Sequence, residues 1–145
     1  GDCYNKTKEY SASDSSFDKA LEIDPNEPFV LNNYAYYLSV RKEKLDQAEK
    51  MSKHSNELQP NQSSFLDTYG WILFQEGKYD EAKKWIEKAM ENGGENSGTI
   101  LEHYGDILFK LNQSEKAFEY WKKAKQSGDA SGLLDQKIRD KKLYE

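Results

Sequence analysis

Three stretches of this chain carry the same four-residue signature at a fixed spacing, and that spacing restricts the fold more than any other feature. Leu31, Tyr34, Ala35 and Leu38 recur as Leu66, Tyr69, Gly70 and Leu73, then as Leu101, Tyr104, Gly105 and Leu108, each step being 35 residues. Within a set the offsets of three, one and three residues place all four side chains on one face of a helix. A second set follows each first one: Ala48, Ala82 and Ala117 at steps of 34 and 35, with Ser55, Ala89 and Ala124 at the same steps. Counting back by 35 pairs Ala20 with Ser55 and Pro25 with Pro60, so an earlier, incomplete unit is expected. A period of this length marks an array of two-helix units, because one helix pair cannot bury its own apolar face and must stack on the next.

Leu66 to Ala89 is the clearest unit. Its first helix sets Leu66, Tyr69, Gly70 and Leu73 on one face, Gly77 breaks the pattern, and Tyr79, Ala82, Ile86 and Ala89 resume it. A glycine in mid-helix costs about 1 kcal/mol relative to alanine, so Gly70 and Ala82 are read as the place where two backbones approach. Two irregularities fall between helices. One extra residue sits in Arg41 to Lys44, and another in the turn-forming stretch Asn96 to Gly98. Pro25 and Pro60 end helices by forcing the preceding residue out of the helical region, and Pro28 suits a first turn. The pattern predicts helices near 10–23, 28–40, 45–58, 63–76, 79–92, 98–111 and 114–127, with a last one between Ser131 and Tyr144 built on Leu133, Leu134, Ile138 and Leu143. The expected division is a partial repeat over 1–25, full repeats over 26–60, 61–95 and 96–130, and a capping helix over 131–145. Gly1 lies 12 residues before Ser13, the separation of Gly70 from Ala82, so the chain is expected to open inside a first helix, to be part of a longer protein, and to self-associate through that truncated end.

Composition narrows the function. The chain has 145 residues, a net charge of −5 and 13% aromatic residues, with a mean hydropathy of −1.03 and a pI near 5.2. Affinity for phosphate backbones rests on Lys and Arg releasing counterions, so a nucleic-acid partner is not expected. No run reaches the roughly 18 to 20 apolar residues of a membrane span, and no signal pattern opens the chain. The compartment is left open between cytoplasm and, given an upstream signal, periplasm. The single cysteine, Cys3, excludes an internal disulfide and a cysteine-based metal site. Asp2 before it does not suit lipid attachment.

The recurring positions resemble tetratricopeptide repeats, a two-helix family, over residues 1–130. Where the family's wording has Trp, then Leu-Gly, then Tyr, this chain has Leu66, Tyr69-Gly70 and Leu73, with aromatic and aliphatic roles exchanged. The second-helix Ala followed four residues later by Phe becomes Ala82 with Ile86, Ala117 with Trp121, and Ala48 with Ser52, a poor match that points to looser packing. The style also resembles the C-terminal arrays of bacterial repeat proteins. The resemblance implies an all-α, right-handed α-α superhelix of about three and a half repeats plus a capping helix, with first helices lining a concave groove for a peptide. It implies a scaffold and not an enzyme, with no cofactor.

On the helical wheel the stripe beside the stacking face is Asn32, Tyr36 and Ser39, then Asp67, Trp71 and Phe74, then Glu102, Asp106 and Phe109, bordered by Asn33, Thr68 and His103. Members that grip a terminal carboxylate do so with Lys, Arg and Asn, and this stripe holds no cationic clamp. Rings with three acids suit instead a protein or peptide offering an apolar anchor and basic residues. A second reading makes Tyr36, Trp71 and Phe74 packing residues, with Trp85 and Trp121 packing between repeats. His54 and His103 lack the spacing of a zinc site. Asp67, Glu102 and Asp106 as acid and base catalysts would need an enclosed pocket that nothing in the string indicates. The Asn-x-Ser/Thr triplets at Asn5, Asn61 and Asn112 are read as chance. The remaining alternative is architectural: a terminal section of a longer array whose binding surface lies upstream.

Overall fold

The computed structural model describes residues 14–127 and 134–140. The phasing of Gly1, Cys3 and Asn5, the self-association of the truncated end, and tail residues such as Leu133 and Leu143 therefore lie outside the described residues. The described residues are helical throughout apart from their connections, with no strand among them. Two compact units form, Gly1–Pro60 and Asn61–Glu145.

In the first unit, residues 14–23 (α1) precede α2 (Pro28–Arg41) and α3 (Leu45–Leu58). Pro28 does stand at the start of α2, where its missing N–H costs nothing, and the Glu27 carboxylate caps the helix by accepting from Phe29 N at 2.7 Å. The ring of Phe17 on α1 stacks on Tyr34 of α2 at 5.0 Å, and Arg41 Nη2 donates to both carboxylate oxygens of Asp14 at 2.9 and 3.1 Å. Burial, with the neighbouring Asp14 and Asp18, pushes the Tyr34 hydroxyl up to about 12.

The second unit stacks one hairpin, α4 (Ser63–Gln75) and α5 (Tyr79–Glu91), on another, α6 (Gly98–Lys110) and α7 (Ser114–Ser127), and closes with α8 (Leu134–Asp140). One core joins Leu66, Leu73 and Phe74 to Ala82, Ile86 and Ala89, and to Ile100, Ile107 and Leu108. At about 25 cal/mol per Å² of apolar surface, such burial between hairpins is what makes one stand on the next. The solenoid class expected from the period is what these helices build.

The turns repeat as faithfully as the helices. Gly77 has φ +82°, and the residues 35 before and after it, Lys42 and Asn112, have φ +58° and +64°. In each, the left-handed residue donates its N–H to the carbonyl one residue past the core leucine while the next N–H returns to that leucine: Gly77 N to Phe74 O at 3.0 Å and Lys78 N to Leu73 O at 2.9 Å, then Asn112 N to Phe109 O at 3.1 Å and Gln113 N to Leu108 O at 2.9 Å. Lys42 N to Ser39 O and Glu43 N to Leu38 O, at 3.1 and 3.0 Å, complete the series. This is the Schellman arrangement, which satisfies the last carbonyls of a helix and turns the chain back. The extra residue between α2 and α3 is taken up by Lys44, itself left-handed at φ +48°. The other spare residue enters a short 3-10 turn, Gly94–Asn96, slightly ahead of its expected place. A Cβ on Gly94 would lie 2.6 Å from Ala89 O, which explains a glycine where the unit before has Pro60.

The close approach at Gly70 is present, with a refinement. A Cβ there would sit 2.7 Å from Ile86 Cδ1, and one on Gly105 would sit 2.5 Å from Trp121 Cδ1. The missing side chain thus makes room for the residue four beyond the alanine. Glycine faces the large Ile86 and Trp121, whereas the first unit combines Ala35 with the small Ser52 in the same register.

Candidate functional site

Each first helix carries one apolar face and, beside it, a stripe of polar residues that fold inward. The structure places the candidate residues in three groups. On α2, Asn32 is buried, Tyr36 half-buried and Asn33 exposed. Asn32 Oδ1 is enclosed and has no hydrogen-bond partner among the described residues. A buried amide oxygen left without a donor costs about 1 to 3 kcal/mol, and the buried Ser52 hydroxyl on α3 shares this state.

On α4 and α6, Asp67, Thr68, Phe74, Glu102, His103 and Asp106 are buried, while Trp71 and Phe109 are half-buried. Phe74 belongs to the core itself, as the packing reading has it. Thr68 turns its hydroxyl back to Ser64 O at 3.0 Å. Trp71 stacks on Phe74 at 4.5 Å and on the His103 imidazole at 3.9 Å, with planes 13° and 16° apart. His103 Nδ1 lies 2.9 Å from Asp67 Oδ1. Burial alone would pull the imidazole pKa down, but the charge and hydrogen bond of Asp67, reinforced by Asp106 and Glu102, overcome this and hold it above its ordinary value. An imidazolium against the face of Trp71 is also a cation–π contact.

The third group centres on a residue that the pattern of first helices did not single out. Lys137 of α8 is buried to 3% exposure. Its Nζ donates to Glu102 Oε2 at 2.6 Å and to both oxygens of Asp106 at 2.9 and 3.0 Å. Trp121 Nε1 also donates to Asp106 Oδ1, at 3.0 Å, so Trp121 has a polar task besides filling the space at Gly105. Burial pushes the Asp106 carboxyl up to about 6 even though Lys137 and His103 pull it down. The signal for Lys137 was in the sequence: Leu134, Lys137 and Ile138 fall at offsets of three and one, a single helix face, so a lysine there faces inward with its apolar neighbours. Trp85, by contrast, packs edge-on against Tyr69 at 4.5 Å.

A hollow of about 750 Å³ opens between α5, α6 and α7, lined among others by Glu87, Met90, Tyr104, Tyr120 and Lys123. Tyr104 and Tyr120 meet edge to face at 4.6 Å, and the Tyr104 hydroxyl donates to Glu87 at 3.3 Å. No described helix is long and apolar enough to cross a membrane.

Among solved structures, the chain is similar to that of Pseudomonas aeruginosa pilF, with 24% identity, a TM-score of 0.71, and 95% of this chain covered against 66% of that one. It is similar to YrrB, described as a TPR protein with an unusual peptide-binding site, at 28% identity and a TM-score of 0.65, covering 77% of this chain and 57% of that one. It is also similar to the first TPR of Spaghetti (RPAP3) bound to the HSP90 peptide SRMEEVD, at 14% identity and a TM-score of 0.70, with 81% and 92% covered. The chain thus spans about two thirds or less of the first two proteins' length. A search of curated protein sequences finds no match. A tetratricopeptide repeat profile matches residues 2–134, and with hairpins, turns and crossing glycines all repeating in that register, the chain belongs to the tetratricopeptide repeat family.

Proposed function

We propose that the chain is a non-enzymatic interaction scaffold that holds a peptide or protein segment against its first helices. The observation that carries this reading is the ring surface left partly exposed on the first helices, Tyr36 beside Asn32 on α2 and, in the other unit, Trp71 and Phe109, which offers apolar area with a polar edge to an extended peptide. Membership of a family of helical repeats supports it, as do neighbours that include one described by its peptide-binding site and one bound to a peptide. In the first unit the contact surface is Asn32, Asn33 and Tyr36; in the second it is the exposed part of Trp71 and Phe109, with Asp67, Thr68, Phe74, Glu102, His103 and Asp106 shaping the floor beneath.

The partner's chemistry follows from what is already paired. Asp67 holds His103, and Glu102 and Asp106 hold Lys137, so these acids do not await a cation. A preference for basic segments then comes from the net charge of −5 steering encounter, while an apolar side chain against the rings supplies the anchor. The acidic peptide in the RPAP3 complex has the same sign as this chain's net charge. The test is selection from a peptide library, followed by affinities for Asn32→Ala and Trp71→Phe. Loss of affinity in Asn32→Ala by tenfold or more, with the fold intact by circular dichroism, supports the reading. Absence of any selected peptide favours the architectural alternative.

A further inference from the structure

The surface beneath α8 is built for a lysine. Two carboxylates, Glu102 and Asp106, converge on one ammonium, the indole N–H of Trp121 donates to the same Asp106 oxygen, Oδ1, as Lys137 does, and the Lys137 ammonium lies 6.0 Å from the centre of the Trp121 ring. Around this point Leu101, Trp121 and Ala124 form an apolar bed that receives Leu134, with Ile138, Phe109 and Phe118 at its edge. Among the described residues, what fills it is one short helix. The helix α8 has 7 residues, and its buried anchors are Leu134 and Lys137, joined at the exposed rim by a Lys125–Asp135 pair of the kind worth little. Beside it lies a hollow of about 380 Å³, where Phe109, Phe118 and Trp121 are bordered by Ser114, Glu115, Glu119 and Lys122.

We propose that this α6–α7 face is a docking site for a partner helix that presents a lysine flanked by aliphatic residues, and that α8 is its built-in, displaceable occupant. The seated α8 defines the ligand: an aliphatic residue three positions before the lysine and another directly after it. Charge complementarity is specific, because one buried ammonium meets two carboxylates, and a charge-assisted contact of this type depends on geometry that a glutamine does not reproduce. A longer helix that adds an apolar side chain in the neighbouring hollow competes with α8 by burying more surface. The proposal extends the scaffold reading by giving its last repeat a partner of its own and rests on it only in taking the chain to be a binding protein. Asn32→Ala leaves this surface untouched, so the two readings fail separately.

The probe is a labelled synthetic peptide with the sequence of residues 131–145, titrated by fluorescence anisotropy against the full chain and against Leu134→Asp, which releases α8 while leaving Glu102 and Asp106 in place. The expected result is binding to Leu134→Asp at least tenfold tighter than to the unaltered chain. That binding should fall tenfold or more when the peptide's lysine is replaced by glutamine, and again when Asp106→Asn is added to the protein. If Leu134→Asp fails to fold, shown by loss of far-ultraviolet dichroism, Lys137→Gln in the full chain replaces it. Equal affinity for released and unaltered protein, or affinity indifferent to the peptide's lysine, overturns the proposal. So does a dimer of the unaltered chain in light scattering that Leu134→Asp abolishes, since the site would then be filled by a second copy.

Discussion

Alanine at Gly105 should damage the protein, whereas alanine at the equivalent Gly70 should be nearly silent, although the two glycines occupy the same place in the repeat. Both changes gain about 1 kcal/mol of helix propensity. At Gly70 the new methyl meets Ile86, with Cδ1 at 2.7 Å and Cγ1 at 3.0 Å, and comes within 3.3 Å of Trp85 Cβ, which a shift of a few tenths of an ångström relieves. An isoleucine end can turn aside for about 0.5 to 1.5 kcal/mol, so the net change lies within about 1 kcal/mol of zero. At Gly105 the methyl meets the rigid indole of Trp121 at 2.5 and 2.6 Å, and the Ala117 carbonyl oxygen at 3.1 Å. Trp121 cannot rotate away without leaving Asp106. Overpacking of about 1 to 3 kcal/mol then adds to a lost hydrogen bond to a charged group, about 1.5 to 3 kcal/mol. After the propensity gain, a net loss of roughly 2 to 5 kcal/mol is expected for Gly105→Ala. Urea unfolding of the two variants at equal m-value, followed by dichroism at the helix band, measures the difference. A Gly70→Ala loss equal to or larger than that of Gly105→Ala would refute the geometry of the crossing.

Replacing Lys42 by glycine should stabilise by up to about 1 kcal/mol, because a left-handed lysine is strained where glycine is not, while Gly77→Ala should cost about 1 to 2 kcal/mol; thermal melts of the pair give opposite signs or the turn series is misread. Ser52→Ala should gain about 1 kcal/mol in urea unfolding, since the Ser52 hydroxyl is fully buried without a partner among the described residues and removing it removes a desolvation cost. The pKa of His103 is raised in the folded state, so its contribution is complete below pH about 6.5 and is lost as pH rises through the folded value. Stability should therefore fall between pH 6.5 and alkaline pH, and less steeply in His103→Gln; equal slopes in both proteins would exclude the imidazolium. Phe29, Tyr37 and Val40 are exposed on α2, and Tyr37 stands at the position where Ile72 and Ile107 are buried; sedimentation should show concentration-dependent association that Tyr37→Ser with Val40→Ser weakens.

The helices and their turns were legible because a repeat tests itself: any error of phase at Leu66 would reappear at Leu31 and Leu101. The resulting ends fall within a residue or so of the observed helices for α2 to α7. The glycines at the crossings were also legible, because a mid-helix glycine has few other reasons to be there. Burial of the stripe was not. A wheel gives the direction of Asp67 and Asp106 from their own helix, and says nothing about the cation that meets them from another. Asp67 finds His103 across 36 residues, and Asp106 finds Lys137 across 31, and each partner sits on a different helix, which a wheel drawn for one helix cannot show. Phe74 was drawn into the stripe for the same reason, since the wheel does not show the core cluster it joins. Lys137 lay on a segment outside the period, where only the offsets within α8 marked it.

The most direct test of the binding surface is a map of a selected peptide on the isotopically labelled chain by heteronuclear NMR. The account predicts that shifts on saturation concentrate on first-helix residues, with the Asn32 side-chain amide and the neighbourhoods of Tyr36 and Trp71 among the largest. Shifts gathered instead around Glu87, Tyr120 and Lys123, in the hollow between α5, α6 and α7, with Asn32 unmoved, would contradict it.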